Sequence, residues 1–450
     1  MAQNREKFSS FGALMAMAGS AVGLGNMWRF PYLVGERGGA AFILLYLVCM
    51  LLLALPIFLS ESLLGRRAGS NCFGVFKNLP GGGKRWKWFG LLAVVTSMVI
   101  FSYYCVIGGW SVQYLLKALG FGFSKAASQA EIGEMFSSMA GGVWAPLIGF
   151  ALFFISTAAI VQSGVKKGIE RFGKVVMPAL FFIVIGIAVY VCTLPGSLDG
   201  LRYLFIPDFS KITAATFADA MGQSFFSLSL GCGCIMTYSS YMNREDNILS
   251  HSVGTAGIDL LFALVAGCAI MPAVFAFGVN PGSGPSLVYE TLPFIFSRMP
   301  GGGFIAILFF VALLVAALTS SVSMMEVVVA FFIEEARLSR GKAVAVILVI
   351  CCVIGTLCTL SFGPLSDVKI FSYTIFEACD KLTSNILMTA GALATVIFAG
   401  WILPKADFMD ELTSSGKYSS TATLCSIARF LIRYVAPVVI LAIFVMGLIG

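Results

Sequence analysis

The sequence predicts an all-α integral membrane protein in which two five-helix repeats of opposite orientation are followed by an eleventh helix. Three observations carry that prediction. Of the 450 residues, 59% are hydrophobic and 11% charged, whereas soluble domains carry about 25% charged residues. Eleven apolar runs each approach or exceed the roughly 20 residues a helix needs to cross a bilayer. Two of these runs, the first and the sixth, are interrupted by glycine and polar residues. A soluble enzyme of this length needs far more charge to cover its surface.

Taken in order, the runs cover residues 11–34, 40–65, 88–119, 143–162 and 171–193, which make the first repeat (11–193). Runs at 216–240, 252–278, 303–332, 342–361 and 370–402 make the second (216–402), and helix 11 covers 427–449. Together they form a single transmembrane domain. The loops orient it, because Lys and Arg accumulate on the cytoplasmic side. The loop after helix 2 holds Arg66, Arg67, Lys77, Lys84, Arg85 and Lys87 with no acid, and the loop after helix 4 holds Lys166, Lys167 and Arg171. The opposite loops set Lys125 against Glu131 and Glu134, and Arg202 and Lys211 against Asp199 and Asp208. The N-terminus is therefore expected in the cytoplasm and the C-terminus outside. The same loops account for the net charge of +7 without nucleic acid. The polar opening MAQNREKFSS leads into helix 1 without a small-residue cleavage site, so helix 1 is expected to be retained. Twelve cysteines, mostly inside apolar runs and without a C-x-x-C pair, read as small core residues.

The interruptions are AVGLGN (residues 21–26) and SLSLGCG (residues 227–233). Each lies in the first helix of its block, and the odd number of helices between equivalent positions makes the halves run in opposite directions. Paired broken helices in corresponding positions point to an inverted-repeat transporter with its site at mid-membrane. Glycine tolerates the non-helical dihedrals of a break. Bare amides and carbonyls are costly in hydrocarbon unless they line a polar cavity or bind something. An unwound helix offers N–H groups suited to a carboxylate and carbonyls suited to a cation or ammonium. A zwitterionic amino acid with a co-transported cation matches both. No nucleophile–base pair or metal cluster lies within the spans, which disfavours an enzyme.

AMAGSAVGLGNMWRFPYLVGERGGAAF in helix 1, FFSLSLGCGCIMTYSSY in helix 6, AALTSS in helix 8 and LTSNILM in helix 10 resemble the bacterial branch of the neurotransmitter:sodium symporters, with the LeuT fold. The resemblance covers nearly the whole chain, and eleven spans match the short bacterial members. It implies a symporter that imports a neutral, hydrophobic or aromatic L-amino acid with sodium by alternating access, from a bacterial inner membrane. A proton-coupled carrier of the same fold and a non-transporting receptor are the alternatives.

The resemblance implies two sodium sites. The first would use the Ala21 carbonyl, Asn26, Ser227, Asp259 and the substrate carboxylate; the second would use the carbonyls of Gly19, Val22 and Ala316 with the hydroxyls of Thr319 and Ser320. These are oxygen donors suited to a hard cation. Asp259 stands where chloride-dependent relatives have an amide, and Ala263 one turn later cannot bind chloride, so no chloride is expected. The substrate carboxylate would meet the Leu24 and Gly25 amides and Tyr104, and its ammonium the carbonyls of Ala21, Phe226, Ser227 and Ser229. Phe226 would act as a lid. Ile100, Cys232, Ser320 and Met324 would line an uncharged side-chain subsite, with the small Cys232 leaving room for a bulky group.

Arg29, Gln223 and Asp380 resemble an outer gate, with Lys381 placed to compete for the acid. Arg5, Phe8, Tyr241 and Glu334 resemble an inner one. Glu61 is expected to hold the backbone of the helix 6 break, Gly168 and Pro178 fit a pattern that lets helix 5 unwind, and His251 reads as an ordinary helix-end residue.

Overall fold

The computed structural model describes residues 6–123, 128–282, 284–418 and 422–449. Among them, nine helices are long and apolar enough to cross a membrane. They are helix 2 (Ala40–Ala68), helix 3 (Lys87–Leu119), helix 4 (Trp144–Gln162), helix 5 (Val165–Cys192), helix 7 (Ile248–Ala276), helix 8 (Gly302–Glu334), helix 9 (Arg340–Leu360), helix 10 (Ile375–Ile402) and helix 11 (Thr423–Met446). The two other predicted spans are the interrupted ones. Helix 1 runs over Ser10–Ala21, breaks, and resumes through a wide π-turn at Gly25–Arg29 into Phe30–Glu36. Helix 6 runs over Ala214–Ser227 and resumes at Cys234–Ser239.

Helices 3 and 8 are 33 residues each, about 50 Å long at 1.5 Å per residue, and they share the most extensive helix–helix contact in the molecule. In their most apolar stretches 72% and 67% of residues are buried, against 22% for helix 11. Helices 3 and 8 are therefore the central scaffold, and helix 11 faces lipid. The inner half of helix 1 packs on helices 5, 7 and 8, and the outer half of helix 6 on helix 2, so both broken helices cross the middle of the bundle.

Several boundaries differ from expectation, among them the starts of helices 10 and 5. Helix 10 starts at Ile375 rather than 370, because Lys369–Ile370 and Tyr373–Thr374 pair as an antiparallel hairpin and Thr374 caps the helix, accepting from Glu377 N while Glu377 accepts from Thr374. Helix 5 starts at Val165 with a π-turn that absorbs Lys166 and Lys167; in this structure it stays wound through Gly168 and past Pro178. Short helices at Cys72–Asn78, Gln129–Ala140, Ser197–Phe205, Thr291–Arg298 and Lys405–Leu412 fill the longer loops.

Candidate functional site

In helix 1 the last helical bond of the inner half runs from Val22 N to Ala18 O (2.7 Å). Asn26 then folds its side chain back, so that Oδ1 accepts from Gly23 N at 3.2 Å. In helix 6, Ser229, Gly231 and Gly233 take left-handed φ of 52°, 80° and 80°. At Gly231 a Cβ would strike the Met388 carbonyl, so glycine is required both by dihedral and by close approach. The freed backbone groups find partners. Glu61 accepts from Gly231 N (2.7 Å), Ser97 donates to the Cys232 carbonyl (2.6 Å), and the strained Ser229 donates its hydroxyl to the Ser20 carbonyl (2.9 Å). That last bond ties the two breaks to each other.

Beside them lies Asp259, fully buried in helix 7. It accepts from Asn26 Nδ2 (2.8 Å), from the Ser227 hydroxyl (2.9 Å to each oxygen) and from the Tyr46 hydroxyl (3.1 Å). All three donors are neutral, and no Lys, Arg or His forms an ion pair with Asp259 among the described residues. A buried carboxylate without a protein counter-charge is costly unless a cation is supplied from elsewhere. The oxygens of Asp259 and Ser227 lie together as a hard-cation donor set requires, while Asn26 presents its amide nitrogen to both and keeps its own oxygen on Gly23 N.

A second group of oxygens lies where helix 8 crosses the inner half of helix 1. The Thr319 hydroxyl sits 3.2 Å from the Val22 carbonyl and 2.8 Å from the Ala316 carbonyl. A Cβ on Gly19 would lie 3.4 Å from Thr319 Cβ, which puts Gly19 against the same side chain. Ser320 turns its hydroxyl to the Ser20 carbonyl (3.3 Å) and Ser20 bonds Ser323 (2.9 Å).

Between these groups is a small cavity lined by Ala21, Leu24, Gly25, Ile100, Tyr104, Phe226, Ser229, Cys232, Ser320 and Met324, with Ser20, Gly23 and Met388 completing the wall. The Leu24 amide points at the Tyr104 hydroxyl (3.5 Å). Ten of the eleven residues expected to meet substrate are thus together; Ser227 is the exception, its hydroxyl turned to Asp259. About 20 Å³ stays open, room for about one water. A larger occupant requires the flexible Met324 and Met388 and the Phe226 ring to move. Phe226, Leu24 and Tyr104 also floor a second cavity of about 290 Å³ on the outer side, which reaches Trp28, Arg29, Asp380 and Asn385.

The expected outer gate is not closed by an ion pair. The Arg29 guanidinium sits over the Phe226 ring, 5.1 Å from its centre. Asp380 instead accepts from Tyr103 (3.0 Å) and Ser384 (3.1 Å). Both line the same cavity, from different walls. Lys381 does not compete for the acid, since its ammonium lies 4.0 Å from the centre of the Tyr373 ring. Gln223 donates to the Gly25 carbonyl at 3.0 Å, steadying the helix 1 break.

At the inner end, Arg5 lies outside the described residues. Phe8 is buried edge-on between Tyr238 and Tyr241, and its N–H donates to the Tyr241 carbonyl (2.9 Å). Glu334 accepts from Asn71 N and Nδ2, both at 2.9 Å. Tyr241 bonds a different acid, Glu326 (2.7 Å), which Arg340 grips with two bonds of 2.8 Å. Glu334, Tyr241 and Arg340 still share one inner cavity. His251 bridges helix ends, with Nε2 3.1 Å from the Ser10 carbonyl and Nδ1 2.9 Å from the Asn247 carbonyl.

Sequence reasoning missed Tyr46, Met388, Tyr103 and the Glu326–Arg340 pair. Tyr46 and Glu326 carried a signal, a phenol and an acid inside the apolar runs ILLYLVC and SMMEVVV. Met388 carried none, since one methionine in an apolar helix looks like any other.

Broken helices crossing in the middle of the bundle, a fully buried acid held only by neutral donors, and a cavity between them define an inverted-repeat, cation-coupled membrane transporter. Comparison with known proteins gives the family. The profile of the Sodium:neurotransmitter symporter family matches residues 5–134 and 129–450. An uncharacterized sodium-dependent transporter of Haemophilus influenzae is 37% identical over 444 residues, covering 97% of this chain and 96% of that protein. The uncharacterized sodium-dependent transporter YhdH of Bacillus subtilis is 36% identical, covering 98% and 97%. The crystal structure of MhsT in complex with L-phenylalanine superposes with a TM-score of 0.89 at 40% identity, covering 99% of this chain and all of that one. The chain belongs to the sodium:neurotransmitter symporter family and is a sodium-dependent symporter with the LeuT fold, a multi-pass membrane protein and not an enzyme.

Proposed function

We propose that the protein imports a neutral, hydrophobic or aromatic L-amino acid with two sodium ions and without chloride. One sodium sits among Ala21, Asn26, Ser227, Asp259 and the substrate carboxylate; the other sits among Gly19, Val22, Ala316, Thr319 and Ser320. The amino acid lies across the helix 1 break, with its carboxylate at Leu24, Gly25 and Tyr104. Its ammonium lies at the carbonyls of Ala21, Phe226, Ser227 and Ser229. The side chain fills the space among Ile100, Cys232, Ser320, Met324 and Met388. No charged group lines that space, so an acidic or basic side chain would be buried unpaired. The L-phenylalanine bound in the MhsT crystal structure supports such a substrate.

The observation that carries the reading is the Asp259 carboxylate, held by three neutral donors and no protein cation. It supplies in fixed form the negative charge that a bound anion would otherwise provide. Phe226 and Arg29 on one side, and Phe8, Tyr241 and Glu334 on the other, alternate in closing the path. Arg5 joins the inner set and Asp380 and Gln223 the outer. The positive loops support a reading with the N-terminus on the cytoplasmic side of a bacterial inner membrane and the C-terminus outside. Equilibrium binding of radiolabelled phenylalanine in detergent tests this. Binding should rise with sodium and be unchanged when gluconate replaces chloride. Binding that needs chloride, or ignores sodium, rejects the proposal.

A further inference from the structure

Cys232 and Cys234 flank Gly233 at the end of the helix 6 break. A C-x-C pair in a regular helix would point its side chains some 200° apart. Here the positive φ of Gly231 and Gly233 turns the chain between them, and the two sulfurs stand 3.4 Å apart, Cys232 donating to Cys234. Both thiols are free. Cys232 lines the small cavity at the helix breaks. Cys234 lies behind it, its sulfur 4.0 Å from the Ser97 hydroxyl, and the Cys72 sulfur closes the rear of Gly233, 3.4 Å from its carbonyl.

We infer that this pair is a chelating dithiol site, opening on the substrate cavity, for thiophilic electrophiles that bridge two sulfurs, trivalent arsenicals first among them. Thiolates are soft, strongly arsenic-binding and metal-binding ligands, and two sulfurs this close offer the bite that one three-coordinate arsenic spans. With phenylarsine oxide each Cys sulfur forms one As–S bond, and the oxide oxygen leaves as one water carrying the two thiol protons. Arsenic stays trivalent, so no oxidant or reductant is needed. The adduct would put an aryl group where the substrate side chain goes and would staple the helix 6 break. Transport is then lost from the inside of the binding site. The inference rests on the proposed substrate cavity for its link to transport, but not for the chelation itself.

The test treats purified full-length protein with phenylarsine oxide. Intact mass reads chelation, and uptake of phenylalanine into proteoliposomes reads function. One arsenical should bind at this pair, resist washing and monothiols, and come off with a vicinal dithiol. Uptake should fall more than tenfold, and sodium with phenylalanine should slow the reaction at least tenfold. Cys234→Ser should keep uptake and lose both this adduct and the inhibition. Cys358→Ser should keep both; it removes a second close pair, whose sulfurs are 3.8 Å apart across helices 9 and 10. An adduct that persists in Cys234→Ser, or no adduct in the parent, overturns the site. An adduct at this pair that substrate does not slow overturns its link to the cavity while leaving the chelation standing.

Discussion

Replacing Asp259 by Asn removes the carboxylate held by Asn26, Ser227 and Tyr46 while keeping shape and most hydrogen bonds. Asn26 Nδ2 and the Ser227 hydroxyl can still donate to the amide oxygen, and the Tyr46 and Ser227 oxygens can accept from its nitrogen. A sodium ion sharing the Asn26 and Ser227 oxygens would lie within about 4 Å of the carboxylate charge. At that separation and an effective dielectric near 20 the attraction is about 4 kcal/mol, or roughly a thousandfold in affinity. Holding the acid ionised in the sodium-free protein offsets part of this, so the variant should need between about thirty and a thousand times more sodium for half-maximal phenylalanine binding. The assay is sodium titration of binding at constant ionic strength, with potassium as the replacing ion. Thermal unfolding without sodium should show the variant at least as stable as the parent, because a buried unpaired charge has been removed. A sodium requirement changed by less than threefold in a folded variant would refute the assignment of Asp259 as the charge that holds the cation.

Three further outcomes follow from named contacts. Thr319→Val keeps volume but deletes the hydroxyl facing the Val22 and Ala316 carbonyls; the sodium requirement for uptake should rise about tenfold, the worth of one lost ligand, in sodium-titrated proteoliposomes. Cys232→Phe fills the side-chain space, so competition binding should show tryptophan losing at least tenfold in affinity while alanine is retained, and equal tryptophan affinity would show that Cys232 does not set the volume. Glu326→Gln leaves Arg340 without its carboxylate; it should lower stability by about 2 kcal/mol in denaturant or thermal unfolding in detergent, and no change would make the pair a surface-like contact.

The breaks were legible because glycine in a membrane span demands a reason and because two of them fell in corresponding helices. Asp259 was reached differently, through the family resemblance that matches its place in helix 7. What stayed hidden depended on where the chain brings distant residues. Asp380 and Arg29 can be matched by position in the chain, yet the distance across the outer cavity depends on how helix 10 enters the bundle. Its first turn is set by the hairpin at 369–374, which carries no hydrophobic pattern. Tyr103 then takes the acid instead. On the inner side, the hydrogen bond from Tyr241 to Glu326 could not be read from the sequence. The deciding factor was Arg340, six residues beyond Glu334, whose two bonds draw Glu326 toward the inner end of the bundle.

The most direct measurement is uptake of radiolabelled phenylalanine into proteoliposomes of known orientation, with sodium and chloride gradients imposed separately. An inward sodium gradient should drive accumulation against a phenylalanine gradient, with gluconate inside and out as well as with chloride, and Asp259→Asn should abolish it at physiological sodium. Accumulation driven by a proton gradient alone, or equal uptake by the Asp259→Asn protein, would contradict the account.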